Sequence, residues 1–138
     1  MYYFERSDNP LITLQIGKRA QIIKWLNTYG VKNYVINDDL TIDVNGNVNL
    51  TNKNLTKFPD FIKFNHVSGY FDCYHNQLTS LKGCPSSVDN YFDCRNNQLT
   101  SLEGCPSSVS DFYCYNNNKV QFTEEDVKKL CKVKHIYV

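Results

Sequence analysis

The segment FDCYHNQLTSLKGCPSSV, residues 71–88, is followed by FDCRNNQLTSLEGCPSSV, residues 92–109. The two segments agree at 15 of 18 positions and lie 21 residues apart. A catalytic site is rarely duplicated in tandem at so short an interval, whereas a stacked structural unit often is. The repetition therefore predicts a solenoid, in which each repeat buries its apolar side chains against its neighbours.

The same period extends on both sides of this pair. Valines recur at intervals of 23, 21 and 21 residues: Val44, Val67, Val88 and Val109. Each valine precedes an apolar–x–apolar triplet, an alternation typical of a strand with one buried face. We therefore expect one short strand per repeat, stacked in parallel about 4.8 Å apart. The side chains expected to fill the shared core are Phe71, Cys73, Leu78, Phe92, Cys94 and Leu99.

The stretches YFDCYHNQL and YFDCRNNQL resemble the L-x-x-L-x-L-x-x-N-x-L stretch of leucine-rich repeats, with Phe and Cys in two of the Leu positions. The following LTSLKGCPSSV and LTSLEGCPSSV resemble short, proline-containing repeats of bacterial effector proteins. They are more similar still to repeat proteins of tailed bacteriophages and large DNA viruses. This resemblance covers about residues 40–120. It implies an α/β fold, a short leucine-rich-repeat solenoid with a parallel β-sheet on one face.

Particular residues are expected to shape each repeat. Asn76 and Asn97 should bond the backbone where the chain leaves the sheet, since those groups would otherwise be unpaired. The Gly-Cys-Pro stretches at 83–85 and 104–106 should turn the chain along the outer face. Lys119 stands where the fourth repeat should have an apolar residue, so we expect a slip of one residue there.

The two ends of the chain are predicted to cap the solenoid. We assign residues 1–40 to an N-terminal α/β cap, 41–120 to about 3.5 to 4 repeats of 20–23 residues, and 121–138 to a C-terminal helix–strand cap. In the first cap, one helical face carries Ile22, Trp25, Leu26 and Tyr29. In the last cap, Thr123 and Asp126 form a capping-box pattern. The helix that follows them presents the apolar stripe Val127, Leu130 and Cys131.

Charge and composition narrow the class of partner. Lys and Arg number 15 and Asp and Glu number 14, a balance that argues against a nucleic-acid partner held through its phosphates. No apolar run reaches the length of a membrane span, so we expect no membrane partner. Glu5, Arg6 and Asp8 stand where an export signal would need apolar residues. The expected location is the cytoplasm, or the host cytoplasm if the chain is viral.

Cysteine and histidine are the residue types here that can hold a metal ion or act as catalytic groups. The six cysteines form no C-x-x-C pair, and five of them fall at repeating positions. We interpret Cys73, Cys94 and Cys114 as small buried apolar residues; the alternative is a metal or redox ladder. His75 has no acidic or cysteine partner at motif spacing. With no known catalytic motif in the chain, we predict no enzyme activity, no cofactor, no metal site and no catalytic residue.

Alternation along the strands predicts which side chains point away from the core. Tyrosine dominates this set, and tyrosine and arginine are enriched where proteins bind one another. The predicted partner-binding residues are Tyr70, Asp72, Tyr74, His75, Tyr91, Asp93, Arg95, Tyr113 and Tyr115.

These residues favour a non-catalytic protein–protein interaction module. The viral resemblance implies a phage-encoded inhibitor of a host protein, such as a component of a defence system. The alternative is a structural or self-assembling repeat protein, either a virion component or a homodimer. An enzyme or metal protein built on the cysteines and His75 is the third hypothesis.

Overall fold

The chain forms a mainly parallel β-sheet in a solenoid-like arrangement, with one helix before it and a short helix near its end. The structure is a computed structural model that describes residues 9–118 and 120–138. The predictions on Glu5, Arg6, Asp8 and Lys119 lie outside these residues. The elements are α1 (Pro10–Thr28), β1 (Tyr34–Ile36), β2 (Ile42–Val44), β3 (Val48–Asn49), β4 (Phe64–Val67), β5 (Phe71–Asp72), β6 (Ser87–Val88), β7 (Tyr91–Asp93), β8 (Ser108–Tyr113), α2 (Glu124–Lys128) and β9 (Lys132–Tyr137).

Each repeat contributes one level of the sheet, which we call a rung. Rungs 1 to 3 each have two short strands separated by a bend: β2 and β3, β4 and β5, β6 and β7. Rung 4 is the single strand β8, because the fourth copy has one residue fewer between its valine and its phenylalanine. Rung 5 is β9, which pairs in parallel with β8. The sheet order is β1-β2-β4-β6-β8-β7-β5-β3, with β9 also on β8.

The predicted core is confirmed. All six side chains expected inside the solenoid have no exposed surface. Phe71, Phe92 and Phe112 stand in register on successive rungs, with ring centroids 5.8 Å and 5.2 Å apart. The valine column also holds its register, and Val133 of rung 5 extends it beyond Val109.

Buried asparagines satisfy the backbone at the end of each strand. The Nδ2 group of Asn97 donates to the carbonyls of Cys73 and Cys94, at 3.0 and 3.2 Å, and its Oδ1 accepts from the Leu78 N–H at 3.0 Å. Asn76 bonds the preceding rung in the same way. Asn117 is a third member that our prediction missed, with bonds to Cys94 and Cys114. It lies three residues after its cysteine, as Asn76 and Asn97 do.

The outer turns require glycine at one position of each repeat. Gly83 and Gly104 have φ angles of +99° and +91°, which side chains rarely allow. A Cβ on Gly83 would lie 2.7 Å from the Ile62 carbonyl oxygen of the previous turn, and one on Gly104 would lie 2.9 Å from the carbonyl carbon of Leu81. Close stacking of the turns therefore depends on these glycines.

Helix α1 covers the first end of the solenoid and begins earlier than its apolar face predicts. The Asn9 side chain accepts from the Leu11 N–H at 2.9 Å, and Pro10 occupies the first turn, where its missing N–H costs nothing. The second half of α1 buries Ile22, Trp25 and Leu26 as predicted. The first half leaves four apolar side chains exposed: Leu11, Ile12, Leu14 and Ile16. Ile23, in the second half, is exposed as well.

The capping box of α2 is confirmed. Thr123 Oγ1 accepts from the Asp126 N–H, and the Asp126 carboxylate accepts from the Thr123 N–H at 2.8 Å. Val127 and Cys131 are buried, but Leu130 is 47% exposed, so its assignment to the buried stripe is wrong. The reason is that α2 ends at Lys128, which leaves Leu130 outside the helical face.

Candidate partner-binding surface

The outward side chains of rungs 2 to 5 form one surface, which we call the aromatic face. Strand register places Tyr70 beside Tyr91 and aligns Asp72, Asp93 and Tyr113 on successive rungs. The outward side chains of successive rungs therefore lie in columns. The aromatic face comprises Tyr70, Asp72, Tyr74, Tyr91, Asp93, Arg95, Asp111, Tyr113, Tyr115, His135 and Tyr137.

Tyrosine rings run continuously across the rungs. The Tyr70 and Tyr91 rings are stacked with centroids 4.7 Å apart. Tyr91 then meets the Tyr113 ring edge-on at 5.9 Å, and Tyr113 stacks on Tyr137 at 4.4 Å. Stacked and edge-on pairs at these distances are the favoured arrangements of aromatic rings. The ring positions are therefore held before any partner binds.

Arg95 lies at the centre of the aromatic face. Its guanidinium carbon is 5.1 Å from the Tyr74 ring centroid, 4.9 Å from that of Tyr113 and 5.2 Å from that of Tyr115. One guanidinium nitrogen donates to the Tyr115 hydroxyl at 2.7 Å. The three distances to the ring centroids are within the range of an attractive cation–π interaction. Arg95 thereby joins tyrosines of the rungs on either side of its own: Tyr74 of rung 2, and Tyr113 and Tyr115 of rung 4.

Within the aromatic face, Asp93 lies beneath the Arg95 side chain, which shields it from solvent. Its side chain is only 2% exposed. Both carboxylate oxygens accept from Arg95 Nε, at 2.9 and 3.0 Å, and Oδ1 also accepts from the Arg95 backbone N–H. These hydrogen bonds raise the pKa of the Arg95 guanidinium. Alternation predicts Asp93 as a contact residue, but its carboxylate is occupied by this internal ion pair.

Asp72 occupies the position of Asp93 one rung earlier and is half-buried. Its Oδ1 accepts from the Tyr74 N–H at 2.9 Å, and its Oδ2 lies 3.4 Å from the Tyr91 hydroxyl. Burial raises the pKa of the Asp72 carboxyl, and the nearby charge of Asp93 adds to the shift. Burial and the Asp72 charge together raise the pKa of Tyr91 to about 12, so the Tyr91 hydroxyl stays protonated and remains a donor.

His75 has a conformational position in the repeat as well as an exposed side chain. Its φ angle is +57°, in the left-handed region, and its ring centroid is 5.9 Å from that of Tyr74. The equivalent positions hold Asn52, Asn96 and Asn116, all with positive φ. Asparagine tolerates this conformation better than most residues. His75 thus lies at the edge of the aromatic face, in a tight turn.

The structure adds members that sequence reasoning missed. Tyr137 and His135 belong to rung 5, where Tyr137 aligns with Tyr113 and His135 aligns with Asp111. His135 Nδ1 lies 2.8 Å from the Asp111 carboxylate. The signal was present in the tail KVKHIYV, which we predicted as a strand but did not align with the repeats. Val133 stands 24 residues after Val109, a longer interval than the others.

The cysteines lie inside the solenoid and not on the aromatic face. Burial raises the pKa of the Cys105 and Cys114 thiols to about 12 and that of Cys131 to about 11. The pKa values of Cys84 and Cys94 are raised as well, mainly by burial. Such thiols stay protonated at neutral pH and are poor nucleophiles. Among residues 9–118 and 120–138, no group of three or more His, Cys, Asp or Glu side chains is placed to hold a metal ion.

Comparisons with protein-family models, with curated proteins and with solved structures found no match to this chain. Within the residues that the structure describes, neither helix combines the length and apolar character needed to cross a bilayer.

Proposed function

We propose that this protein is a non-catalytic protein–protein interaction module and that the aromatic face is its contact surface. The observation that carries the proposal is the run of tyrosine rings from Tyr70 to Tyr137 around Arg95. Tyrosine supplies a large rigid contact area together with a hydroxyl group. A continuous surface of this kind is uncommon on a protein that binds nothing.

The internal contacts of the face favour tight binding. A side chain that is mobile in the free protein loses conformational entropy when a partner immobilises it. Tyr113 is held between the Tyr91 and Tyr137 rings, and Arg95 is held by Asp93. These groups have little freedom left to lose.

The cysteines give little support to an enzyme or a metal protein. Burial raises the pKa values of the Cys105 and Cys114 thiols, which disfavours nucleophilic chemistry there. His75 occupies a turn position that asparagine occupies in the other repeats. The interaction hypothesis accounts for the tyrosines of the aromatic face. The hypothesis of an enzyme built on buried cysteines gives those tyrosines no role.

We further infer that the chain is a leucine-rich-repeat protein of viral origin that inhibits a host protein, such as a defence component. Three features support this assignment: the sequence motif LTSLEGCPSS, the stacked parallel rungs and the buried asparagines. It rests on resemblance, and fold alone does not fix function.

Self-association is a second candidate, favoured by a different observation. The first half of α1 exposes apolar side chains, with Leu11 72% exposed. A second copy could cover them, giving a homodimer or a larger assembly. Sedimentation of the full chain distinguishes the two candidates. A monomer at tens of micromolar excludes self-association, whereas a dimer that dissociates on Leu11→Ser substitution supports it.

The main proposal is tested by affinity capture from a native host lysate, quantified by mass spectrometry. The test variant is Tyr70→Asn/Tyr91→Asn, since rung 1 already carries Asn47 in this column. We expect this variant to recover at least about tenfold less of the captured protein, because aromatic anchors typically contribute about 2 kcal/mol or more each. The matched control, Ser86→Ala on the outer turn, should recover the same amount as the unmodified chain. A partner that is captured equally by the tyrosine variant would place binding elsewhere.

A further inference from the structure

Rungs 2 and 3 carry the same acidic position in different electrostatic settings. Asp72 and Asp93 align in the sheet, and each accepts from the N–H two residues later, at 2.9 and 3.0 Å. In rung 3 that later residue is Arg95, which neutralises Asp93. In rung 2 it is Tyr74. The acid of rung 2 therefore has neighbouring tyrosines, as Asp93 has, but no cation at the repeat-equivalent position.

Arg95 is near enough for its charge to lower the pKa of Asp72, but its ion pair is with Asp93. Within the described part of the chain, no Lys, Arg or His nitrogen lies within 4.0 Å of the Asp72 carboxylate. The Tyr91 hydroxyl approaches Oδ2 at a long 3.4 Å, and Asp72 is partly exposed. A half-buried carboxylate without a counterion attracts a cation from the surroundings.

The charge of the whole aromatic face has the same sign as Asp72. The face holds three carboxylates, Asp72, Asp93 and Asp111, and one guanidinium, Arg95, which gives a net charge of −2 when histidine is counted as neutral. The entire chain is +1. The excess negative charge is therefore local to this surface. It favours a partner of opposite charge and disfavours an acidic one.

We propose that the partner presents a basic surface and places an arginine side chain against Asp72, beside the stacked rings of Tyr70 and Tyr91. This inference rests on the proposed function and names the chemistry of the partner. Arginine is favoured over lysine because a planar guanidinium both stacks on aromatic rings and bonds a carboxylate with two donors. Arg95 shows the same combination of contacts on the next rung.

The experiment selects binders from a random peptide library displayed on yeast, with the full-length protein as the target. The binding of enriched peptides is then compared on the unmodified protein and on Tyr70→Asn/Tyr91→Asn. The tightest tyrosine-dependent peptide is synthesised with arginine and, separately, with citrulline, which has nearly the same shape without the charge. Both peptides are titrated against the unmodified protein, Asp72→Asn and the control Asp60→Asn, whose carboxylate lies 3.9 Å from Lys82.

We expect the tyrosine-dependent peptides to be enriched in arginine. Citrulline should weaken binding to the unmodified protein by at least about tenfold, and Asp72→Asn should weaken the arginine peptide by a similar factor. On Asp72→Asn the two peptides should bind alike, since a coupled pair loses its interaction only once. Asp60→Asn should change nothing.

Two results would overturn the inference, and they differ in what they leave standing. Peptides that need Tyr70 and Tyr91 but bind Asp72→Asn with unchanged affinity would refute the basic partner, while the aromatic face would remain a binding surface. If no enriched peptide depends on Tyr70 and Tyr91, the proposed function of the face fails, and the inference fails with it.

Discussion

At the scale of single residues, Asp72 differs from the other two carboxylates of the aromatic face. Asp93 contacts Arg95 and Asp111 contacts His135, whereas none of the ion pairs within the described residues includes Asp72. Burial and the charge of Asp93 raise the pKa of Asp72, so its ionised form is disfavoured in the folded chain. Rung 1 has Asn49 at the same position, where it accepts the Thr51 N–H at 3.0 Å. An asparagine at position 72 would therefore keep the local hydrogen bond and remove the charge.

The Asp72→Asn variant should be more thermally stable than the unmodified protein at pH 7. When folding raises the pKa of an acidic group, the folded protein loses stability as the pH rises from the unfolded-state pKa of that group to its folded-state pKa. The advantage of the variant should therefore shrink on acidification and vanish near about pH 3, where Asp72 is protonated in both states. Thermal melts at the two pH values measure this difference. A lower melting temperature for the variant at pH 7 would show that the Asp72 charge is stabilised in the fold.

Arg95 has a structural role as well as a place in the face. Alternation alone predicts an exposed side chain whose loss would barely affect stability. Instead, Arg95→Gln would leave the Asp93 carboxylate buried and without a counterion, at a cost of about 3 kcal/mol. Adding Asp93→Asn should recover much of this loss, because it removes the unpaired charge and keeps an acceptor for the backbone N–H. Urea denaturation of both variants tests this, and equal stabilities for Arg95→Gln and the double variant would contradict it.

At the scale of elements, the asparagine that follows each strand decides whether neighbouring rungs stay paired. Asn97→Ala leaves the buried Leu78 N–H without its acceptor, while the Cys73 and Cys94 carbonyls keep their bonds from Asn76 and Asn117. A buried polar group left unpaired costs about 1–3 kcal/mol, so we expect a loss of that size. Gln98→Ala, at the exposed neighbour, should change stability by less than about 0.5 kcal/mol. Similar denaturation midpoints for the two variants would mean that the hydrogen bonds of Asn97 contribute little to stability.

The strands and the core were predictable because apolar residues recur at regular intervals along the sequence. Phe71, Phe92 and the valine column follow from spacing alone. Contacts that depend on how a side chain bends were not predictable in the same way. Arg95 and Asp93 are two residues apart on one face, so their pairing was within reach, but spacing did not determine which tyrosines the guanidinium would contact.

The ends of the chain were harder to predict than the repeats. Rung 5 was missed as a rung because α2 lies before it and lengthens the interval from Val109 to Val133. The first half of α1 was missed because its apolar residues are not confined to one buried face, and periodicity detects only helices with one apolar side.

At the scale of the whole molecule, helix α1 covers the core at the first end of the solenoid, and strand β9 lies at the other end. Helix α1 packs on the early rungs through Trp25, whose ring centroid lies 6.4 Å from that of Phe64. At the other end, β9 pairs with β8, and the described residues include no strand on its second edge. Lys132 and Lys134 are exposed on this strand. Lysines on an edge strand discourage the addition of another strand, so sheet extension is a poorer route to association than the aromatic face.

The central claim is that the aromatic face, and not the outer turns, contacts a protein partner. The most direct test is an NMR comparison of tyrosine-ring and serine-amide signals with and without the captured protein. We predict that the ring signals of Tyr70, Tyr91 and Tyr113 shift, while Tyr29 and Tyr34 near α1 and the amides of Ser86 and Ser107 on the outer turns stay unchanged. Shifts at Ser86 and Ser107 with unchanged rings on the face would contradict the account.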